Sequence, residues 1–125
     1  MSKVVVHAQA APAAIGPYSQ AIQTGNMLFA SGQLGLNPAT GELCNGLEAQ
    51  ADQAMRNMGE ILKQAGMTYA NIIKTTVFMT DLNDFSTVNA VYQRYFEGAY
   101  PARSCVQVAA LPKNALVEIE CVAIA

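Results

Sequence analysis

Charged residues are scarce in this chain. Lys and Arg number 7 and Asp and Glu 9 among 125 residues, 13 % in all, against roughly 25 % in an ordinary soluble domain. A chain of this size has much surface to cover, so the deficit points to burial of part of that surface in an oligomer. Basic runs are absent and the net charge is −2, which argues against a nucleic-acid or anionic-membrane surface. The single histidine, His7, has no second His and no clustered Cys with which to build a zinc or iron site. It also lacks an evident orienting partner for a Ser-His-Asp set. Cys44, Cys105 and Cys121 are odd in number and have no CxxC spacing, so a reducing compartment fits better than a disulfide framework. No apolar stretch approaches the about 18 residues of a membrane span. The start, MSKVVVHAQA, reads as neither a signal nor a transit peptide, and a cytoplasmic location is expected. No Gly-rich phosphate loop is present, and no cofactor or metal is expected. Nothing resembling a linker or a fixed-period repeat divides the chain, so residues 1–125 are expected to form one domain.

What is present alternates between two periodicities. VVVH (4–7) reads as a short strand, followed by the Ala-, Pro- and Gly-rich loop 9–19. Residues 21–32 read as a hairpin with Gly25-Asn26 at its turn, and 36–43 as a second turn region. From Leu47 to Ala65, apolar residues recur at three- and four-residue steps, which predicts a helix stopped by Gly66. Residues 71–80 are β-branched and aromatic, as in a strand. Asp84 is expected to cap a second helix with the stripe Phe85, Val88, Val91, Tyr92, Tyr95 and Phe96. Strands over 103–110 and 116–124 close the chain. The order β-β-β-α-β-α-β-β favours an α+β fold: a two-layer sandwich, with a mixed sheet carrying two helices on one face.

The two-residue period of strands divides the last two into faces. Ser104, Val106 and Val108 share one face of their strand, and Arg103, Cys105 and Gln107 the other. Val117, Ile119, Cys121 and Ala123 oppose Leu116, Glu118, Glu120 and Val122. The purely apolar faces suit packing under the helices, which would leave Arg103, Cys105, Glu118 and Glu120 together on the second face. That face is too apolar to be fully wet and too charged for a sealed core, and a subunit interface with a polar pocket satisfies both constraints. Arg103 offers a rigid fork of donors for a carboxylate, and Glu118 is a candidate acceptor of a proton from water. An ordinary ion pair between neighbouring strands is the competing reading of the two. Glu120 is either a second site carboxylate or a solvated or interface-paired charge. Cys105 reads as a small pocket-lining residue, because no base is near it in sequence. Tyr18 is either presented by its Gly-Pro-Tyr-Ser turn or packed as a loop anchor. Ser31-Gly32 is either a close approach of backbone to a ligand or a plain turn, and Asn89 is a polar position on the second helix.

Four segments carry a resemblance. GPYSQAI (16–22), SGQLGLNPATGEL (31–43), IIKTTVFMTDLNDFSTVNAVY (72–92) and PARSCVQVAALPKNALVEIE (101–120) resemble the RidA/YjgF family of reactive-intermediate deaminases, also called 2-iminobutanoate/2-iminopropanoate deaminases. The resemblance runs from about residue 8 to the C-terminus. It implies a chorismate-mutase-like fold of the bacillus type and a homotrimer with a central barrel-like core and clefts between subunits. It also implies hydrolysis of enamines and imines such as 2-aminoacrylate, 2-iminopropanoate and 2-iminobutanoate to 2-oxo acids and ammonia. By position, Arg103 would bind the substrate carboxylate, Glu118 would activate water, and Tyr18, Ser31, Gly32, Asn89 and Cys105 would line the cleft. Two other activities remain in view: a single-strand endoribonuclease or translation inhibitor, which the charge argues against, and a non-catalytic binder of small carboxylates acting as a regulator or chaperone.

Overall fold

Residues 2–125 are described by a computed structural model. The chain runs through β1 (Lys3–Val6), β2 (Ala21–Thr24), β3 (Met27–Leu34), α1 (Leu47–Gln64), β4 (Ile72–Met79), α2 (Phe85–Tyr92), β5 (Ala102–Gln107) and β6 (Val117–Ile124), in the expected order. The strands form one mixed sheet, β1-β2-β3-β6-β4-β5. Every pairing is antiparallel except β4 with β5, where α2 forms the crossover that a parallel pair needs.

Each element follows from its residues. Gly25 takes φ +57° at the β2–β3 turn, a conformation costly for a side chain. Helix α1 buries Ala51, Ala54, Met55, Met58, Ile61 and Leu62, with Glu48 in its first turn and Lys63 in its last, both suited to the helix dipole. Gly59 sits in mid-helix because the Tyr69 ring lies across it and donates its hydroxyl to the Met55 carbonyl at 2.7 Å. A side chain there would collide with that ring. Asp84 does stand at the N-cap of α2, but its side chain makes no capping bond. Asp81 accepts from the Asn83 N–H at 2.9 Å instead, capping the short 3₁₀ turn that leads into the helix. Strand β5 stops at Gln107, short of the expected 110. Val108 still donates to the Met79 carbonyl at 2.8 Å, and there β4 runs out.

Both helices cover one face of the sheet. Under Met58, Ile61 and Leu62 lie Val6, Leu28, Ala30, Cys121 and Ala123. Under Ala51, Ala54, Met55, Val88, Val91 and Tyr92 lie Val77, Met79, Val117 and Ile119. The apolar face of β6 is therefore the inner one, as expected. The faces of β5 are the reverse of expectation. Arg103 is registered with Thr75 and Cys105 with Val77, and these two β4 residues are registered with Cys121 and Ile119. Arg103 and Cys105 thus rise toward the helices, while Ser104 and Val106 join Glu118 and Glu120 on the open face. That open face carries Val5, Ile22, Phe29, Phe78, Val106 and Val122, with Val5 60 % and Phe29 45 % exposed. Among the described residues, no helix is long and apolar enough to cross a membrane.

Candidate active site

Glu118 leaves β6 on the open face, beside Leu34 of β3 and Phe78 of β4. Next to it β3 bulges between Ala30 and Gln33, a distortion that re-aims side chains. Gly32 lies in that bulge. A Cβ on it would stand 2.7 Å from Glu118 Cδ and 2.8 Å from Oε2, so the absent side chain lets the carboxyl lie against the strand. Ser31 ties the preceding loop to the bulge: its Oγ donates to the Ser19 carbonyl at 2.6 Å and its N–H to the Gln20 carbonyl at 2.9 Å. Gln20, buried, braces the other end of that loop by donating to the Pro12 carbonyl at 2.8 Å and accepting from the Ala8 N–H at 2.6 Å. The half-exposed Tyr18 stands between these anchors. The result is a cleft of about 550 Å³ walled by Tyr18, Ser31, Gly32, Lys113, Glu118 and Glu120 among others. Burial raises the Glu118 carboxyl above its ordinary range, and the negative charge of Glu120 raises it further.

Arg103 occupies a different place. Its Nη1 donates to Asn89 Oδ1 at 2.7 Å. The guanidinium carbon lies 5.2 Å from the Phe85 ring centroid and 5.0 Å from that of Tyr92, within cation–π range. Phe85, Asn89 and Tyr92 are spaced i, i+4 and i+7, so one stripe of α2 supplies all three. Among the described residues the side-chain ion pairs are Arg56–Asp52 and Arg94–Glu48, and no carboxylate pairs with Arg103. Its hollow, about 490 Å³, is lined by Asn89, Tyr92, Gln93, Tyr100, Pro101 and Arg103. Cys105 follows on the same face, its Sγ 3.8 Å from Met79 Sδ. Burial raises its thiol, with the Arg103 charge opposing, so the thiolate is disfavoured. No group of three His, Cys, Asp or Glu side chains gathers as metal ligands among the described residues.

The sequence profile of the family described as Endoribonuclease L-PSP matches residues 8–125. The chain belongs to the RidA/YjgF family. The mouse protein named 2-iminobutanoate/2-iminopropanoate deaminase is 52 % identical over 121 residues, covering 96 % of this chain and 90 % of the relative. A Rid-family structure from Yersinia pestis, described as of unknown function, superposes with TM-score 0.96 at 51 % identity, over 99 % of this chain and 100 % of that one. E. coli TdcF with bound serine superposes with TM-score 0.95 at 46 % identity, over 98 % of both chains.

In this RidA-family chain the predicted site residues fall into two sets. Tyr18, Ser31, Gly32, Glu118 and Glu120 share the open-face cleft. Arg103, Asn89 and Cys105 stand on the helix-covered face. The single Arg103–Glu118 pocket expected on one face is not formed within the protomer, and neither is the competing ion pair. Strand β4 separates β5 from β6, and the two side chains point to opposite faces. Phe85 and Tyr92, read from sequence as core stripe, turn out to bracket the arginine. Lys113, in the segment between β5 and β6, reaches the cleft wall. It and Asn114 both have φ +59°, uncommon for residues with a side chain, and its Nζ donates to the Gly41 carbonyl at 3.3 Å. Asn is enriched in that region, so Asn114 is a weak signal of the geometry, whereas nothing at Lys113 announces it.

Proposed function

We propose that this chain hydrolyses reactive 2-imino acids, such as 2-iminopropanoate and 2-iminobutanoate, to 2-oxo acids and ammonia. The observation that carries this reading is an arginine fork held by Asn89 and two aromatic rings with no carboxylate of its own. Such a group is prepared for a ligand's carboxylate. The name of the mouse relative supports the same reaction. Arg103 grips the carboxylate and so fixes the imine carbon. Glu118, whose carboxyl is held above its ordinary range by burial and by the charge of Glu120, takes a proton from water as its oxygen bonds to that carbon. Glu118 returns that proton to the nitrogen, and as the carbon–nitrogen bond of the carbinolamine breaks the remaining hydroxyl proton passes to the freed Glu118 carboxylate, so ammonia leaves with the 2-oxo acid. The iminium carbon is already strongly electrophilic, so the scheme needs no cofactor and no covalent nucleophile. For RNA, the two carboxylates in the cleft oppose a phosphate backbone, and the net charge is −2. The test is semicarbazide trapping of imine released by an amino-acid oxidase: added protein should lower the semicarbazone yield. An unchanged yield would leave the chain a carboxylate binder.

Because Arg103 and Glu118 lie on opposite faces, this chemistry requires a second copy. The proposed assembly is a homotrimer in the cytoplasm, in which the Glu118 cleft of one subunit meets the Arg103 hollow of the next. The apolar open face would be the buried interface. Light scattering should give about three times 13.3 kDa, and a stable monomer at micromolar concentration would defeat the shared-site reading. Gly32→Ala should displace the Glu118 carboxyl and lower turnover on the order of 10²-fold, while the trimer and its melting temperature hold. Full activity in that variant would show that the carboxyl's place beside β3 is unimportant. Cys105 lines this site without attacking. Cys105→Ser should keep a substantial share of turnover, and mass spectrometry during turnover should find no thiol adduct; an adduct on the reaction path would overturn the water mechanism.

A further inference from the structure

Thr75 is a buried hydroxyl in an otherwise apolar row. With Val77 and Met79 it forms the inner face of β4, and it is 1 % exposed. Its Oγ1 lies 2.7 Å from Tyr92 Oη in a buried hydrogen bond. Thr75 is also the direct register partner of Arg103 across the parallel β4–β5 pair. The Tyr92 ring therefore meets Thr75 through its hydroxyl and Arg103 through its ring, 5.0 Å from the guanidinium carbon. Its third neighbour is Phe96, at 4.8 Å between centroids. Phe96 in turn meets the rings of Tyr69 and Tyr100. Tyr92 is held from three sides, and burial raises its phenol, so it presents a neutral ring to the arginine.

We propose that Thr75 and Tyr92 are positioning residues for Arg103: their hydroxyl–hydroxyl bond fixes the ring on which the guanidinium rests, and so sets the affinity of the site for a carboxylate. Neither hydroxyl needs to touch substrate. The bond fixes where the long axis of the Tyr92 side chain points, Phe96 packs against the ring at 4.8 Å between centroids and so limits its turning about that axis, and Asn89 fixes one nitrogen of the fork. Together they hold the guanidinium in one plane, leaving its other donors for a bidentate contact. Without the bond the ring is free to shift, and the fork meets the carboxylate with its geometry unset.

The inference rests on Arg103 being the carboxylate anchor, and the experiment separates the two. Binding of 2-oxobutanoate is measured by calorimetry, and KM and kcat by imine trapping, for the wild-type trimer and for Thr75→Val, Tyr92→Phe, the double variant, Thr75→Ser and Arg103→Ala. Each of Thr75→Val and Tyr92→Phe should weaken 2-oxobutanoate binding and raise KM about tenfold, while kcat changes less than about threefold; a tenfold change is about 1.4 kcal/mol. The double variant should lose no more than the worse single, because both break one bond. Thr75→Ser, which keeps the hydroxyl, should restore KM. A purely structural role would lower the melting temperature of the single variants and leave KM in place, which would overturn the proposal. If Thr75→Val does not fold, Tyr92→Phe against wild type decides by the same criterion. Normal binding in Arg103→Ala would instead defeat the anchor reading on which the proposal rests.

Discussion

Arg103→Ala should abolish imine hydrolysis and leave the assembly standing. A bidentate contact between guanidinium and carboxylate comprises two charge-assisted hydrogen bonds, each worth about 1.5–3 kcal/mol. Losing both corresponds to roughly 10²–10⁴-fold in kcat/KM. Little of that loss should appear as instability. In the protomer Arg103 makes one hydrogen bond, to Asn89, and two ring contacts, and no ion pair is broken by its removal. The expected pattern is therefore loss of semicarbazone suppression with an unchanged mass by light scattering. Arg103→Lys should recover only part of the activity. An ammonium cannot reproduce the planar fork, and it cannot lie across the Tyr92 ring while also donating to Asn89 and two carboxylate oxygens in one plane. Wild-type turnover in Arg103→Ala would rule out the anchor. Loss of activity accompanied by dissociation would move the residue's role from substrate to interface.

The arrangement behind that prediction was only partly legible in the sequence. Strong periodicity marked α1, and β-branched composition marked β4; both lie within two residues of their expected bounds. The inner face of β6 was legible because Val117, Ile119, Cys121 and Ala123 are uniformly apolar. Strand β5 was misread for a physical reason. A two-residue period defines two faces but does not say which one is covered, and apolarity decides only when the inner face has no polar partners. Here α2 offers Asn89 and two aromatic rings, so the inner face of β5 accepts an arginine. The exposed face shows Val106 at 42 %. A rule written for single chains assigns such an apolar residue to the core. The separation of Arg103 from Glu118 was hidden for the same reason. Strand order 3-6-4-5 is set by two crossovers, and no local pattern in residues 101–120 reports that β4 lies between the last two strands. Gly32 was left between a close approach of backbone to a ligand and a plain turn; the group that lies against it is the Glu118 carboxyl, from a strand more than eighty residues on.

Glu118→Gln should bind 2-oxobutanoate normally and lose most of its turnover. The amide keeps the shape beside Gly32 but takes no proton from water, and removing a positioned base costs typically about 10²–10⁴-fold. Glu120→Gln is the necessary companion, because both carboxylates reach the cleft. The geometry favours Glu118: it is half-buried against the bulge, whereas Glu120 is exposed. The pH profile separates them further. The base must be ionised, so activity falls as pH drops through the Glu118 pKa, and that pKa is raised by burial and by the charge of Glu120. The acid limb in the wild type should therefore lie above the ordinary carboxylate value of about 4.3. Glu120→Gln removes the charge but not the burial, so it should shift the limb to lower pH and keep the plateau rate. Added salt, which screens the exposed charge, should move the wild-type limb in the same direction and the Glu120→Gln limb much less. If Glu120→Gln is inactive and Glu118→Gln is normal, the two roles are reversed. If both variants keep full turnover, water attack proceeds without a carboxylate, and Arg103 with backbone groups must suffice.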